Sequence, residues 1–149
     1  MAKIRVTKEY NFEMAHALWN YDGLCKNLHG HSYRLFVTVI GEPNPDENNP
    51  KHGMVIDFSV LKRIINDKIV DKMDHSVVVS KLAPIDKLDV FTQMFHRLEV
   101  VDYQPTCENM VIDFVDRIKP ELPANIELHS IKLYETATSF AEWYASDNI

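Results

Sequence analysis

The sequence predicts an α+β domain, in which an antiparallel sheet of four strands is covered on one face by two helices. Two long segments alternate polar and apolar residues with a period of two, which is typical of half-buried strands. Two later segments repeat apolar residues at helical spacing, and two short segments near the end of the chain indicate a second pair of strands. The predicted order is therefore strand, strand, helix, helix, strand, strand.

Length and composition limit the class of protein. The 149 residues are expected to form a single domain over 1–149, and 46% hydrophobic with 26% charged residues suits a folded globular protein. A net charge of −6 disfavours nucleic-acid binding, although a few local cations would be enough for a small phosphorylated ligand. No membrane-length apolar run is visible, the N-terminal residues lack the apolar stretch typical of a signal peptide, and each of the two cysteines is better explained by another role than by a disulfide. We therefore expect a cytoplasmic protein without a membrane partner.

The first two predicted strands bring histidines together. Residues 3–16 place apolar side chains on one face, interrupted by Lys8 and continued by His16: Ile4, Val6, Tyr10, Phe12 and Met14. Residues 31–41 form the second strand, and the face that carries His29 and His31 also carries Tyr33, Leu35, Val37 and Val39. If the two strands pair antiparallel, His16 comes close to His29 and His31.

Two amphipathic helices are predicted in the second half of the chain. The first begins at Asp57, which offers an N-cap side chain, and ends near Lys72. Its buried side is predicted to contain Leu61, Ile64, Ile65 and Ile69. The second begins at Pro105-Thr106, with Thr106 as N-cap and Glu108 in the first turn, and stops at Pro120.

The remaining segments complete the predicted sheet. Ile126 to Thr136 is the third strand, with Ile131, Leu133 and Glu135 on one face, and Ser139 to Tyr144 is the fourth. Residues 81–104 are harder to interpret: Val90 to Leu98 is compatible with a short helix and Val100 to Tyr103 with a short strand. Apolar residues such as Phe36 and Ile40 on the other face of the second strand indicate that neighbouring subunits cover that face.

The segment Cys25-Lys26-Asn27-Leu28-His29-Gly30-His31 is the most informative in the chain. Residues two apart on an extended chain point to the same side, so His29 and His31 are predicted to project side by side. A catalytic zinc site needs three protein ligands and one open position, and His16 is the best candidate for the third ligand. Taken alone, two histidines at a strand end are equally well explained as polar residues without a metal.

Four further residues are candidates for chemistry. Cys25, Asp74, His75 and Glu135 each have a structural alternative: a small buried thiol, a surface turn for the Asp-His pair, and a strand-end carboxylate in solvent. Cys107, inside the second helix, is interpreted as a small buried residue. A thiolate beside a cation is a competent base at neutral pH, and a histidine held by an aspartate can relay a proton. A glutamate on a strand can accept two parallel N–H bonds from a guanidine-like ring edge.

Six short segments in the same order resemble the family of 6-pyruvoyl-tetrahydropterin and 6-carboxytetrahydropterin synthases. They are Phe12-Glu13-Met14-Ala15-His16, Cys25-x-x-x-His29-Gly30-His31, Gly53-Met54-Val55-Ile56-Asp57-Phe58, Met73-Asp74-His75, Pro105-Thr106-Cys107-Glu108-Asn109 and Tyr134-Glu135-Thr136. The resemblance implies the tunnelling fold, in which subunits join their sheets into an oligomeric barrel, here a homohexamer formed as a dimer of trimers. It also implies 7,8-dihydroneopterin triphosphate as the substrate.

The same resemblance implies a role for each candidate residue. Zn²⁺ is carried over to His16, His29 and His31, the base to Cys25, and the proton relay to Asp74 and His75. Glu135 becomes the pterin anchor and a member of the catalytic set, and Thr106 and Glu108 join it in the substrate site. The chain departs from the family at position 107, which is Cys where Ser, Thr or Ala is more usual.

The gap of three residues between Cys25 and His29 is similar to that of the queuosine-pathway branch. That branch makes 6-carboxy-5,6,7,8-tetrahydropterin and releases acetaldehyde and triphosphate, whereas the pyruvoyl branch has a longer gap and only eliminates triphosphate. The pyruvoyl activity and a non-catalytic zinc and pterin-binding module remain the alternatives. The presence of Cys25, Asp74 and His75 together favours an enzyme, because binding alone needs none of them.

Overall fold

A six-stranded sheet forms the centre of the computed structural model, which describes residues 1–84 and 89–149, the side chains of 89–91 excepted. The spatial order of the strands is β4-β3-β1-β2-β5-β6. Their bounds are β1 Ile4–His16, β2 His29–Gly41, β3 Ser76–Ser80, β4 Leu98–Val101, β5 Glu127–Tyr134 and β6 Phe140–Tyr144. The helices are α1 Phe58–Ile65, α2 Asp71–Met73, α3 Asp89–Met94 and α4 Cys107–Ile118.

The antiparallel pairing of β1 with β2 is confirmed over its full predicted length. The register runs from Ile4 opposite Gly41 to His16 opposite His29. Alternate residues of both strands are buried on one face, including Tyr10, Phe12, Tyr33 and Leu35. Because a slip of one residue would turn all of these side chains to the other face, the apolar pattern fixes this register.

The predicted number of strands is wrong, because β3 and β4 extend the sheet beyond β1. Both pair in parallel, β3 with β1 and β4 with β3. All five residues of β3 are buried, so this strand has no polar and apolar alternation to reveal it. The short run Val77-Val78-Val79 was visible in the sequence, but nothing in its pattern indicated that it joins the main sheet.

The segment 81–104 differs in detail from its interpretation. Helix α3 ends at Met94 rather than near Leu98, and the following strand is Leu98–Val101 rather than Val100–Tyr103. Part of the segment, 85–88, lies outside the described residues.

Both predicted helix starts are confirmed by their caps. The Asp57 carboxylate accepts a hydrogen bond from the backbone N–H of Ser59 at the start of α1, and the Thr106 hydroxyl accepts one from Asn109 at the start of α4. The first helix continues past Ile65 through a π-helical segment, Asn66–Val70, into α2. It therefore ends at Met73, close to the predicted Lys72.

The core lies between the helices and one face of the sheet. Its fully buried side chains come from α1 and α4 as well as from β1, β2 and β5: Phe12, Leu35, Leu61, Ile65, Met110, Phe114, Ile131 and Leu133 among others. Among the described residues, none of the helices has the length and apolar character needed to cross a lipid bilayer.

Candidate metal centre and active site

The end of β1 and the start of β2 hold three histidines side by side. The register places His16 opposite His29, and Met14 opposite His31. One ring nitrogen from each of His16, His29 and His31 lies within 4.8 Å of the others, and the Nε2 atoms of His16 and His29 are 3.0 Å apart. The predicted meeting of these three histidines is therefore confirmed.

Backbone carbonyls orient two of the rings. The Nδ1 atom of His16 lies 2.7 Å from the Pro105 carbonyl oxygen, and Nδ1 of His29 lies 2.7 Å from that of Asn27. A carbonyl oxygen can only accept, so each Nδ1 carries the proton and donates it. In the neutral ring, each Nε2 therefore presents a lone pair, which is the form that binds a metal ion.

Burial favours the neutral form of two of the three histidines. Burial lowers the pKa of His16 to about 4. The neighbouring His29 and His31 add to this decrease, and the hydrogen bond to Pro105 opposes it. Burial also lowers the pKa of His31, which the carboxylate of Glu135 opposes. Both effects favour the unprotonated ligand form at neutral pH.

The carboxylate of Glu135 lies against the same cluster. Its Oε1 atom is 3.4 Å from Nε2 of His16 and 3.6 Å from Nε2 of His31. Glu135 follows the last residue of β5, and its backbone N–H donates to the Ser139 carbonyl oxygen. The side chain is 26% exposed, so it is within reach of both the histidines and a ligand.

The donor set fits a metal ion. Nε2 of His31 is buried and has no hydrogen-bond partner among the described residues. Two Nε2 lone pairs 3.0 Å apart repel each other unless a cation lies between them. Three imidazole nitrogens are the ligand set of a catalytic zinc site, with the fourth position available.

Asp74 and His75 form a second unit, directly before β3 and beside Glu13 of β1. Nδ1 of His75 is 3.0 Å from Oδ2 of Asp74, whose Oδ1 accepts the backbone N–H of Glu13 at 2.9 Å. Burial raises the pKa of Asp74, but the hydrogen bonds from Glu13 and His75 and the nearby charges outweigh it and lower that pKa. The carboxylate is therefore ionised at neutral pH and can orient the imidazole.

The backbone of His75 is unusual. Its φ angle is 60°, in the left-handed region that a residue with a side chain rarely adopts. Its N–H donates to the Glu13 carbonyl oxygen, so both Asp74 and His75 are fixed to the same residue of β1. His75 and His31 both line a cleft of about 370 Å³, together with Glu13 and Ser32.

Cys25 lies apart from these contacts. It belongs to a short 3-10 helix, Leu24–Lys26, and its carbonyl oxygen accepts the N–H of Leu18. Its side chain is exposed, and within 1–84 and 89–149 no hydrogen bond joins it to the histidines. The alternative of a small buried thiol is therefore wrong for Cys25.

The start of α4 borders the cluster. Pro105 contacts His16, and Thr106 caps the helix, while the exposed Glu108 occupies its first turn. Cys107 is buried, as expected, and its Sγ donates to the Leu133 carbonyl oxygen at 3.3 Å. Burial raises the pKa of the Cys107 thiol to about 12, and the charge of Glu135 adds to this.

The sequence interpretation missed Tyr33. Its hydroxyl is buried without a hydrogen-bond partner among the described residues, and its ring centroid lies 5.7 Å from that of His31. Burial raises its pKa, with further contributions from Glu135 and Cys107. Its in-phase position two residues after His31 was the available signal, but an apolar strand face does not distinguish a site residue from a core residue.

Known proteins resemble this chain over almost its full length. The family model of 6-pyruvoyl tetrahydropterin synthase matches residues 5–146. The 6-carboxy-5,6,7,8-tetrahydropterin synthase of Haemophilus influenzae is 34% identical, over 93% of this chain and 97% of that protein. The enzyme of the same name from Rickettsia typhi is 29% identical, over 93% and 99%.

Solved structures extend the likeness to the fold. The 6-pyruvoyl tetrahydropterin synthase of Caenorhabditis elegans has a TM-score of 0.69 and 24% identity, covering 97% of both chains. The Plasmodium falciparum protein of that name has a TM-score of 0.70 and 20% identity, covering 97% of this chain and 99% of the other. The resemblance inferred from six short segments is thus confirmed, and the chain belongs to the 6-pyruvoyl tetrahydropterin synthase family.

Proposed function

We propose that the chain is a zinc-dependent 6-carboxy-5,6,7,8-tetrahydropterin synthase that acts on 7,8-dihydroneopterin triphosphate in queuosine biosynthesis. The observation that carries the proposal is the cluster of His16, His29 and His31, in a chain 34% identical to a protein of that name. The products are 6-carboxytetrahydropterin, acetaldehyde and triphosphate. The new carboxylate has two oxygens where the substrate carbon had one, so the reaction also consumes water.

The three histidines would hold the metal ion through Nε2. The carbonyl oxygens of Pro105 and Asn27 keep the rings of His16 and His29 in the ligand tautomer, so the donor atoms are oriented before a metal arrives. A bound zinc ion would polarise the vicinal oxygens of the substrate side chain and acidify the adjacent C–H. Replacing any one of the three histidines should lower metal content and activity together.

Cys25 is proposed as the base that accepts the side-chain proton. Its thiol is exposed, and it lies four residues before His29 on the turn that leads into β2. His75, oriented by Asp74, serves as the opposite acid or base, and its other ring nitrogen is available to exchange a proton. That His75 lines the same cleft as His31 supports the role of His75.

Glu135 is proposed to accept N–H bonds from the guanidine-like edge of the pterin, with Thr106 and Glu108 completing the substrate site. Glu135 Oε1 lies 3.4 Å from Nε2 of His16, and Thr106 and Glu108 follow Pro105, whose carbonyl oxygen contacts His16. A carboxylate that receives two parallel N–H bonds gives both affinity and orientation.

The chain is further proposed to be a single domain, assembled as a cytoplasmic homohexamer in the tunnelling-fold barrel. On the sheet face opposite the helices, the ring of Tyr134 contacts those of Phe36 and Phe140, and Phe140 is 47% exposed. Apolar rings on an open sheet face are expected to be covered by another subunit. Light scattering that finds a stable monomer at micromolar concentration would contradict this assembly.

Incubation with 7,8-dihydroneopterin triphosphate, followed by mass analysis of the pterin, tests the activity. The proposal predicts the carboxypterin from wild type and from His52→Ala, a control at an exposed histidine outside the cluster. His29→Ala should lose both bound zinc and product. A pyruvoyl-pterin would assign the chain to the rival activity, and binding without turnover would make it a pterin-binding module.

A further inference from the structure

Glu135 faces the point on which the histidine nitrogens converge. The distances from its Oε1 to Nε2 of His16 and His31 are 3.4 and 3.6 Å, comparable with the 3.0 Å between Nε2 of His16 and His29. Four potential ligand atoms from β1, β2 and the end of β5 therefore border one small volume.

Hydrogen bonding does not explain the position of this carboxylate. The proton of His16 is on Nδ1, directed at the Pro105 carbonyl oxygen, so Nε2 has none to donate to Glu135. Nε2 of His31 has no hydrogen-bond partner among the described residues. The carboxylate oxygen therefore faces the lone pair of His16, and such an arrangement becomes favourable when the two electron-rich atoms share a cation.

The spacing of the donor atoms agrees with a four-coordinate ion. Zinc binds imidazole nitrogen and carboxylate oxygen at about 2.0–2.1 Å, so tetrahedral geometry places neighbouring donors about 3.3–3.4 Å apart. The distances of 3.0, 3.4 and 3.6 Å lie on both sides of this value. We propose that Glu135 is the fourth ligand of the metal centre when no substrate is bound.

This inference rests on the proposed metal centre and adds a resting state to it. A substrate that binds through its own oxygens needs the position held by Glu135, so the carboxylate must move away as the substrate enters. Glu135 lies just beyond the end of β5 and is partly exposed, and such a position tolerates a change of side-chain rotamer. Once released, the carboxylate is free to accept N–H bonds from the ligand, so the same residue serves both states.

Metal binding in the absence of any pterin tests the proposal. Glu135→Gln removes the charge and nearly keeps the shape, and Glu47→Gln is the matched control at an exposed glutamate in the loop between β2 and α1. Competition with a chelator should show zinc affinity about 10-fold or more weaker in Glu135→Gln, the scale found when groups around a metal are altered. The affinity of Glu47→Gln should equal that of wild type.

Cobalt substitution provides a second readout on the same proteins. The visible spectrum of the Co²⁺ form should change in Glu135→Gln, and added azide should bind to this variant but not to wild type, whose fourth position is closed. Equal zinc affinities with superimposable cobalt spectra, or equal azide binding by wild type and variant, would overturn the proposal. These measurements contain no substrate, so they test the fourth ligand and not the proposed enzymatic activity.

Discussion

The two cysteines permit one experiment in which activity and stability respond to different residues. Cys25 is exposed, so Cys25→Ala removes the proposed base without removing a packed atom. Its turnover should fall about 10²–10⁴-fold, the usual scale for general-base catalysis. Its free energy of unfolding should remain within about 0.5 kcal/mol of the wild-type value, as for most surface substitutions.

Cys107→Ala should give the opposite pattern. Cys107 is 6% exposed, its Sγ donates to the Leu133 carbonyl oxygen, and the backbone N–H of Ala141 donates to the sulfur. The substitution removes two weak hydrogen bonds of the sulfur, worth together about 0.5–1.5 kcal/mol, and a buried group comparable to a methylene, worth about 0.8 kcal/mol. We expect a loss of about 1–2 kcal/mol and a Tm lower by about 2–8 °C, with most of the turnover retained.

Turnover of 7,8-dihydroneopterin triphosphate and urea denaturation would be measured on the same preparations. Zinc content is measured first, so that a lost metal is not mistaken for a lost base. If Cys25→Ala turns over normally while Cys107→Ala does not, the base has been assigned to the wrong cysteine. If both variants lose stability and activity in parallel, the separation into one chemical and one structural thiol is wrong.

Three other predictions follow from the same geometry. Asp74→Asn should keep its zinc but lower kcat, because the amide no longer stabilises a protonated His75; an unchanged kcat would remove Asp74 from the mechanism. The metal-free protein should lose stability as the pH falls from about 6.5 to about 4, because the unfolded chain protonates His16 before the folded one does; equal urea midpoints at pH 7 and pH 4 would refute this. Tyr33→Phe and Tyr10→Phe each remove a buried hydroxyl without a partner among the described residues, so neither should lower the urea midpoint, and a clear drop in either would reveal a partner for that hydroxyl.

The sequence was sufficient where side-chain periodicity and burial act together. The alternation in β1 and β2 predicted the pairing that joins His16 to His29 and His31, because only one register buries both apolar faces. The caps at Asp57 and Thr106 were visible because their side chains act within three residues along the chain.

Features that depend on contacts between distant segments could not be predicted from periodicity. Strand β3 is buried on both faces and pairs in parallel, so its sequence lacks the alternating pattern of a half-buried strand. The contact of Pro105 with His16 joins residues 89 positions apart. The approach of Glu135 to the histidines likewise depends on the turn after β5, whose conformation no periodic pattern specifies.

The ratio of products released from 7,8-dihydroneopterin triphosphate tests the proposed function most directly. With the zinc-loaded protein, we predict one acetaldehyde for each triphosphate at all times of the reaction, and neither product after the metal is removed by a chelator. Restoring zinc should restore both products in the same ratio. Release of triphosphate without acetaldehyde, or undiminished turnover by the metal-free protein, would contradict the proposed function.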